Sequence, residues 1–203
     1  MRDAEATQKR ILLAAKKEFS QNGLGGARVD MIAKKAKANK RMIYHYFGSK
    51  DNLFKTVLEH AYADIRKAER KLDLESLPPK AALEKLVTFT WEYYLKNPEF
   101  LRLINSENLH KARHLKNSRM IRPINDQFVE MVDNILKRGV ASGEFRDDID
   151  AKQLNITIAA IGYYYLTNRH SLSVILDFDF MTADALKERL VFNIQTILRL
   201  VER

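Results

Sequence analysis

The chain of 203 residues contains no cysteine and only 7 glycines and 4 prolines. The lack of cysteine excludes disulfides, thiolate metal sites and a thiol redox sensor, and it fits a reducing cytosol. So few helix breakers favour helices over a turn-rich β architecture. No apolar run approaches the roughly 18 residues that span a bilayer, and the charged N-terminus lacks the apolar region of a signal peptide. We therefore expect a cytoplasmic, all-α protein with no membrane partner.

Positive charge is concentrated at the N-terminus. The net charge is +9, and residues 1–50, with 12 Lys and Arg against 4 Asp and Glu, supply an excess of 8. The other 153 residues supply an excess of only one. An ordinary solvated surface would not be so asymmetric, whereas a surface that binds a polyanion would be. The first quarter of the chain is therefore a candidate nucleic-acid-binding region.

Apolar residues at helical spacing predict about nine helices and no strand. A helix over residues 6–22 is followed by a short second helix that contains Val29 and Ala36. A tight turn and Asn39, a good N-cap, then introduce a third helix over Lys40–Phe47. Two short helices joined by a tight turn and packed under a first helix form a helix-turn-helix, in which Lys40–Phe47 is the recognition helix. Its basic and aromatic side chains suit contacts to phosphates and base edges.

One set of apolar, small, aromatic and basic residues runs through the helix-turn-helix segment and the start of the next helix: Ile11, Ala14, Ala15, Phe19, Gly23, Ile32, Ala33, Ala36, Ile43, Tyr44, His45, Tyr46, Phe47, Ser49, Lys50 and Leu53. With these residues, the segment 11–54 resembles the DNA-binding domain of TetR/AcrR-family repressors. The resemblance implies an N-terminal three-helix helix-turn-helix domain over residues 1–50, a linking helix over 51–71, and a larger C-terminal helical domain for ligand binding and dimerisation over 72–203. It also implies DNA contacts from Arg28, Lys40, Arg41, Met42, Tyr44, His45, Tyr46 and Lys50.

The turn departs from the family pattern in two places. Lys37 stands where glycine is usual, which requires either a left-handed lysine or a shifted turn. Before the second helix, where the family often has a threonine, this chain has Ala27 and Arg28. One phosphate-binding hydroxyl is therefore missing, and Arg28 is expected to replace it.

The resemblance places an effector pocket among the C-terminal helices. Polar and aromatic residues on faces that otherwise look buried are the candidate ligand contacts: Trp91, Tyr94, Asn108, Asn125, Phe128 and Tyr165. Aromatic residues at helical spacing are also simply typical of a core, so both interpretations stay open. Small residues Ala159, Ala160 and Gly162, together with the amphipathic last helix, predict a two-fold four-helix interface. In that last helix, Leu186, Leu190, Val191, Ile194, Ile197, Leu198 and Val201 are expected to face inward.

The resulting prediction is a homodimeric regulator of transcription, not an enzyme and without a cofactor. It would repress its genes from a palindromic operator in double-stranded DNA and be released by a small-molecule effector. One alternative is a helical-bundle metal-binding protein or enzyme, because Glu107, His110 and His114 would share one helical face. Another is an architectural protein that binds DNA without sequence preference.

Overall fold

The computed structural model describes residues 2–203, with side chains from Ala4 onwards. Within these residues the chain forms nine α-helices and no strand, which confirms the predicted fold class. The helices are α1 Arg2–Gly26, α2 Val29–Ala36, α3 Lys40–Phe47, α4 Lys50–Glu69, α5 Pro79–Lys96, α6 Pro98–Leu109, α7 Ile121–Ala141, α8 Ala151–Leu176 and α9 Ala183–Val201. None of these helices is long and apolar enough to cross a membrane.

Local sequence signals determine where several helices begin and bend. The side chains of Asn39, Asp150 and Thr182 accept hydrogen bonds from early backbone N–H groups of α3, α8 and α9, which is the function of an N-cap. Pro79 occupies the first position of α5, where a missing N–H costs nothing. Gly23 adopts φ 64° inside α1 and redirects the last residues of that helix.

The chain divides into two compact units, and the first contains the residues up to Asp64 together with Pro98–Arg122. In its core, the rings of Phe19 and Phe54 meet edge to face at 5.0 Å. The Ser106 hydroxyl on α6 accepts a hydrogen bond from the backbone N–H of Leu24 at 3.3 Å. Helix α6 therefore packs with the N-terminal helices. The division of function between residues 1–50 and 72–203 stays a prediction.

The second unit comprises Ile65–Asn97 and Pro123–Arg203. Its apolar core is contributed by α5, α7, α8 and α9 and includes Leu83, Leu86, Val132, Ile158 and Ile197. Phe145, which follows α7, is fully buried in the same core. Its ring lies directly against Gly139, where an added Cβ would fall 2.0 Å from a ring carbon. Only glycine permits this close approach of α7 to the ring.

Helix α9 presents most of the predicted face to the core, and Ile194 and Leu198 pack against it. Ile197 and Val201 are buried as expected, but Val191 is 46% exposed and Asn193 is only 1% exposed. The buried residues of α9 are Ala185, Asn193, Ile197 and Val201, so this row includes one polar side chain. The prediction for Val191 was wrong because α9 carries apolar residues on two faces, and periodicity does not say which of them lies inside.

Candidate functional site

A left-handed lysine forms the turn between α2 and α3. Lys37 has φ 50° and ψ 44°, so the first of the two predicted geometries is confirmed and the turn is not shifted. The backbone N–H groups of Lys37 and Ala38 bond to carbonyls of the last turn of α2, at 3.2 and 3.0 Å. The conformation costs a non-glycine residue about 1 kcal/mol. It brings Asn39 into place, where its Oδ1 accepts from the N–H of Arg41 at 2.9 Å.

Helix α3 begins and ends where the sequence predicts, at Lys40 and Phe47. Ile43 is buried against the rest of the first unit, and Phe47 is half-buried. The side chains of Lys40, Arg41, Tyr44 and His45 are exposed, and those of Met42 and Tyr46 are half-buried. The helix thus has an apolar underside and a basic, aromatic outer side, as insertion into a DNA groove requires.

Two further basic residues border this helix. Arg28 is exposed at the N-cap position of α2, and its side chain makes no capping hydrogen bond. The Nζ of Lys50, at the start of α4, lies 3.4 Å from the carbonyl oxygen of Gly25. Lys40 pairs with Asp30 at 2.9 Å, and this hydrogen bond raises the pKa of Lys40. The predicted DNA-contacting residues therefore lie together on the α2–α3 motif and the first residue of α4, although their roles toward DNA are untested.

A buried carboxylate connects α1 to the helix-turn-helix. Glu18 is 3% exposed. It accepts hydrogen bonds from the Lys35 ammonium at 2.7 Å, the Asn22 amide at 3.0 Å and the backbone N–H of Arg28 at 3.3 Å. Burial alone would raise the pKa of Glu18, but these donors outweigh it and lower the pKa. Glu18 is not among the residues that the sequence singles out, because its donors lie up to 17 positions away.

The proposed metal ligands form a different structure. Helix α6 ends at Leu109, so Glu107, His110 and His114 do not share one helical face. The carboxylate of Glu107 is buried, and both of its oxygens have partners within the protein. Oε1 accepts hydrogen bonds from the backbone N–H groups of His114 and Leu115 at 2.8 and 3.0 Å. Oε2 lies 2.6 Å from Nδ1 of His114. Among the described residues, no three His, Asp or Glu side chains are grouped to hold a metal ion. The metal-site alternative is not supported.

The second ring nitrogen of His114 faces the first turn of α4. Nε2 of His114 lies 3.2 Å from Oδ1 of Asp51. The hydrogen bond to His114 lowers the pKa of Asp51, and the nearby charge of Arg113 acts in the same direction. His114 therefore joins the first turn of α4 to the segment that follows α6, a structural function within the first unit.

A cavity of about 380 Å³ lies in the second unit. The guanidinium of Arg66 stacks on the ring of Phe128 at 3.8 Å and pairs with Glu69 at 2.9 Å. Burial raises the pKa of Glu69 to about 7, although the charges of Arg66 and Arg70 partly offset it. Ile124 and Gln127 complete the α7 side of the wall. Such a mixture of apolar walls and a few polar groups is typical of small-ligand sites.

The six predicted ligand contacts do not form one cluster. Phe128 lines the cavity, and Asn125 on the same helix is half-buried. Trp91 and Tyr165 form a separate buried pair, with ring centroids 5.5 Å apart. Asn108 lies in the first unit, exposed at the end of α6, with its amide bonded to the carbonyl of Ile104. The expected burial of Asn108 was therefore wrong, because Ser106 and Glu107 form the buried side of the last turn of α6.

The small residues of α8 divide between two environments. Gly162 is buried, and a Cβ there would lie 3.4 Å from Tyr94 and 3.5 Å from Trp91, so it serves packing within the unit. Ala159 is half-buried and Ala160 is exposed. Large apolar residues are also exposed on α8 and α9: Ile156, Tyr164, Val191, Phe192 and Leu200. The prediction that Gly162 lies between two copies was thus wrong, whereas an apolar surface on both helices is present.

The chain is similar to proteins of one family over nearly its whole length. A family model described as bacterial regulatory proteins, tetR family, matches residues 11–57, and one described as tetracyclin repressor-like, C-terminal domain, matches residues 79–197. The HTH-type transcriptional repressor NicS of Pseudomonas putida is 42% identical over 200 residues, which cover 98% of this chain and 94% of that protein.

Solved structures share the fold at low identity. A regulatory protein of the tetR family from Rhodococcus RHA1 is 16% identical with a TM-score of 0.75, and the match covers 97% of both chains. The ketosteroid transcriptional regulator KstR2 of Mycobacterium tuberculosis is 19% identical with a TM-score of 0.63, over 97% of this chain and 95% of that one.

Proposed function

Because the chain belongs to the TetR family of bacterial transcriptional regulators, we propose that it represses transcription from a palindromic operator and is released by a small-molecule effector. The observation that carries the DNA part of this proposal is the outer side of α3. A capped, anchored helix presents Lys40, Arg41, Tyr44 and His45 to solvent in the most basic quarter of the chain. Such a protein would act in the cytoplasm, on chromosomal DNA.

The side chains around α3 divide by chemistry. Arg41 and Lys40, at the N-terminal end of the helix, have the donors that recognise guanine edges in the major groove. Tyr44 and Lys50 have the reach and the donors for phosphate oxygens. Arg28 is positioned for a further phosphate at the start of α2. His45, Tyr46 and Met42 would contact either the backbone or base edges.

The exposed apolar residues on α8 and α9 support a homodimer as part of this proposal. Phe192 and Tyr164 are each more than half exposed, and large apolar side chains that are grouped on a surface mark an interaction site. A second copy that packs on these helices would bury the surface in a four-helix arrangement. Two recognition helices would then meet successive major grooves about 34 Å apart on a palindromic site.

The effector would bind in the second unit, with the cavity beside Phe128 as the proposed site. Arg66, Glu69 and Gln127 supply the polar contacts and Ile124 the apolar ones. An effector that fits only one of two global states would weaken operator binding, and DNA would weaken effector binding by the same factor. Helix α4 contributes its first residues to the DNA-binding unit and its last turn to the cavity, so it is the element through which the two sites would be coupled.

The experiment replaces the two phosphate-contacting residues together, as Tyr44→Ala with Lys50→Ala. Loss of the Lys50 contact should lower the magnitude of the slope of log affinity against log salt by about 0.9 and lower the affinity about eightfold at 0.1 M salt. Tyr44 is uncharged, so loss of its hydroxyl should leave the slope unchanged and cost about 1 kcal/mol, which is roughly fivefold. The pair should therefore lose about 40-fold in operator affinity at 0.1 M salt. Affinity is measured by fluorescence anisotropy on fragments from the promoter regions next to the gene, across a salt series.

Lys85→Ala, an exposed lysine on α5, is the matched control and should bind like the wild type. Dimerisation, followed by sedimentation, should be unchanged in all variants. Wild-type binding that is undetectable, or insensitive to salt, would contradict the proposal. Equal affinity for operator and random DNA would instead favour the architectural alternative.

A further inference from the structure

A groove between α1 and α2 is lined by basic side chains. It has a volume of about 680 Å³, and its walls include Arg10 and Lys17 from α1, Lys35 from α2, and Lys37 from the turn before α3. Among the side chains that the structure describes from Ala4 onwards, no acidic one lines the groove. Lys35 is paired with Glu18, but the other three cations repel one another, so an anion that enters the groove would be bound favourably.

Three of these cations retain donors for a ligand. Arg10 uses Nε on the carbonyl of Ala36 and Nη2 on the Thr7 hydroxyl, at 3.3 and 2.8 Å, and two hydrogen bonds leave part of its five donors free. Lys17 and Lys37 are both exposed, and neither ammonium has an acidic partner within 4 Å among the side chains that the structure describes. Lys35 is held at its position by Glu18 at 2.7 Å.

Lys37 adds a second observation. It adopts φ 50°, in the left-handed region that favours glycine. The position therefore retains a strained residue whose side chain lines a cationic groove. Lys37 is also only three residues before Lys40, the first residue of α3. The rim of the groove is thus continuous with the N-terminal end of the recognition helix.

We propose that this groove binds a phosphate group of the operator backbone, in addition to the contacts from α3 and Lys50. Resting on the proposed function, this inference extends the DNA-binding surface to α1 and the helix-turn-helix turn. Phosphate oxygens accept the charge-assisted hydrogen bonds that arginine and lysine donate. The operator would be contacted both within the major groove and on the sugar-phosphate backbone beside it.

Lys37→Gly tests the inference because it should raise the stability of the protein and lower its affinity for the operator. Glycine relieves the left-handed strain, so the melting temperature should rise by about 3 °C. Loss of one phosphate contact should lower operator affinity about eightfold at 0.1 M salt and reduce the salt slope by about 0.9. Lys17→Gln, on the opposite wall, should lower affinity in the same direction without the gain in stability.

Asp177→Gly is the matched control, since Asp177 also adopts a left-handed conformation, at the C-terminal end of α8. It should raise the melting temperature and leave operator affinity unchanged. The Lys37→Gly protein could have a higher melting temperature but bind the operator with the affinity and the salt dependence of the wild type. In that case the inference is wrong while the proposed function stands. If the wild type binds no operator, the proposed function itself has failed.

A second arm distinguishes DNA from free phosphate. The melting temperatures of the wild type and of Lys17→Gln with Lys37→Gly are compared in sodium phosphate and in sodium chloride at equal ionic strength. A backbone site predicts no stabilisation specific to millimolar phosphate. Phosphate-specific stabilisation of the wild type alone, with equal operator affinity for both proteins, would assign the groove to a free anion and overturn the inference.

Discussion

Glu69 should make the stability of this protein depend on pH near neutrality. Its side chain is almost completely buried beside the cavity of the second unit and pairs with Arg66 at 2.9 Å. Burial raises its pKa from 4.5 to about 7. The test is Glu69→Gln, which keeps the size of the side chain and an oxygen that can accept from Arg66, but removes the titration.

The magnitude follows from the two pKa values. Between pH 4.5 and 7 the folded protein holds a proton on Glu69 that the unfolded chain has lost, so stability falls as pH rises through this window. Each unit of pKa shift corresponds to about 1.4 kcal/mol, so the whole effect is about 3 kcal/mol. Most of it, about 2.5 kcal/mol, lies between pH 5 and pH 8. Above pH 7 the carboxylate is ionised in both states and the contribution stays lost.

The assay is urea denaturation of wild type and Glu69→Gln at pH 5 and pH 8, with stability taken from the midpoint and the slope. The variant should gain about 2.5 kcal/mol relative to the wild type when the pH is raised. Glu84→Gln, an exposed carboxylate on α5, should show no such gain. If the stability difference between Glu69→Gln and wild type is the same at both pH values, Arg66 keeps Glu69 ionised and the reasoning is refuted.

Two further substitutions test the packing of the two units. Glu18→Gln should destabilise the first unit by about 2 kcal/mol in urea denaturation, because the Lys35 ammonium and the Arg28 N–H lose their charged, buried acceptor. The exposed Asp30→Asn should change the stability by under about 0.5 kcal/mol. An equal effect of both substitutions would contradict a special role for Glu18. Gly139→Ala should cost about 2 kcal/mol, since overpacking against Phe145 outweighs the gain of about 1 kcal/mol in helix propensity. Gly25→Ala meets no atom within 4 Å and should be neutral or stabilising in the same assay.

The recognition motif could be predicted from sequence because its signals are local. The cap at Asn39, the anchor at Ile43 and the stop at Gly48 all lie within ten residues, and each acts on its immediate neighbours. Even the unusual turn followed from one residue, since a lysine in place of glycine leaves only two geometries. The structure selects the left-handed one.

Long-range partners could not be predicted in the same way. Glu107, His110 and His114 have the spacing of metal ligands on a helix. Helix α6 ends at Leu109, however, so the two histidines lie outside it and the spacing does not bring the three side chains onto one face. The carboxylate instead accepts two backbone N–H groups from the segment that follows the helix. The packing of α6 with α1 includes a hydrogen bond between Ser106 and Leu24, which are 82 positions apart. No periodicity carries information about such pairs.

Helix α9 shows why one amphipathic pattern can be interpreted in two ways. Asn193 is buried within its own unit, and burial lowers the pKa of Arg189 one turn earlier, although both are polar. Val191 and Phe192 are exposed, although both are apolar. In a monomer this arrangement would lose hydrophobic stabilisation on both faces. Val191 and Phe192 give α9 a second apolar face that the core does not cover, and α8 also carries an exposed aromatic residue, Tyr164. The exposure of Val191, which periodicity alone placed inside, is therefore an argument for the proposed homodimer.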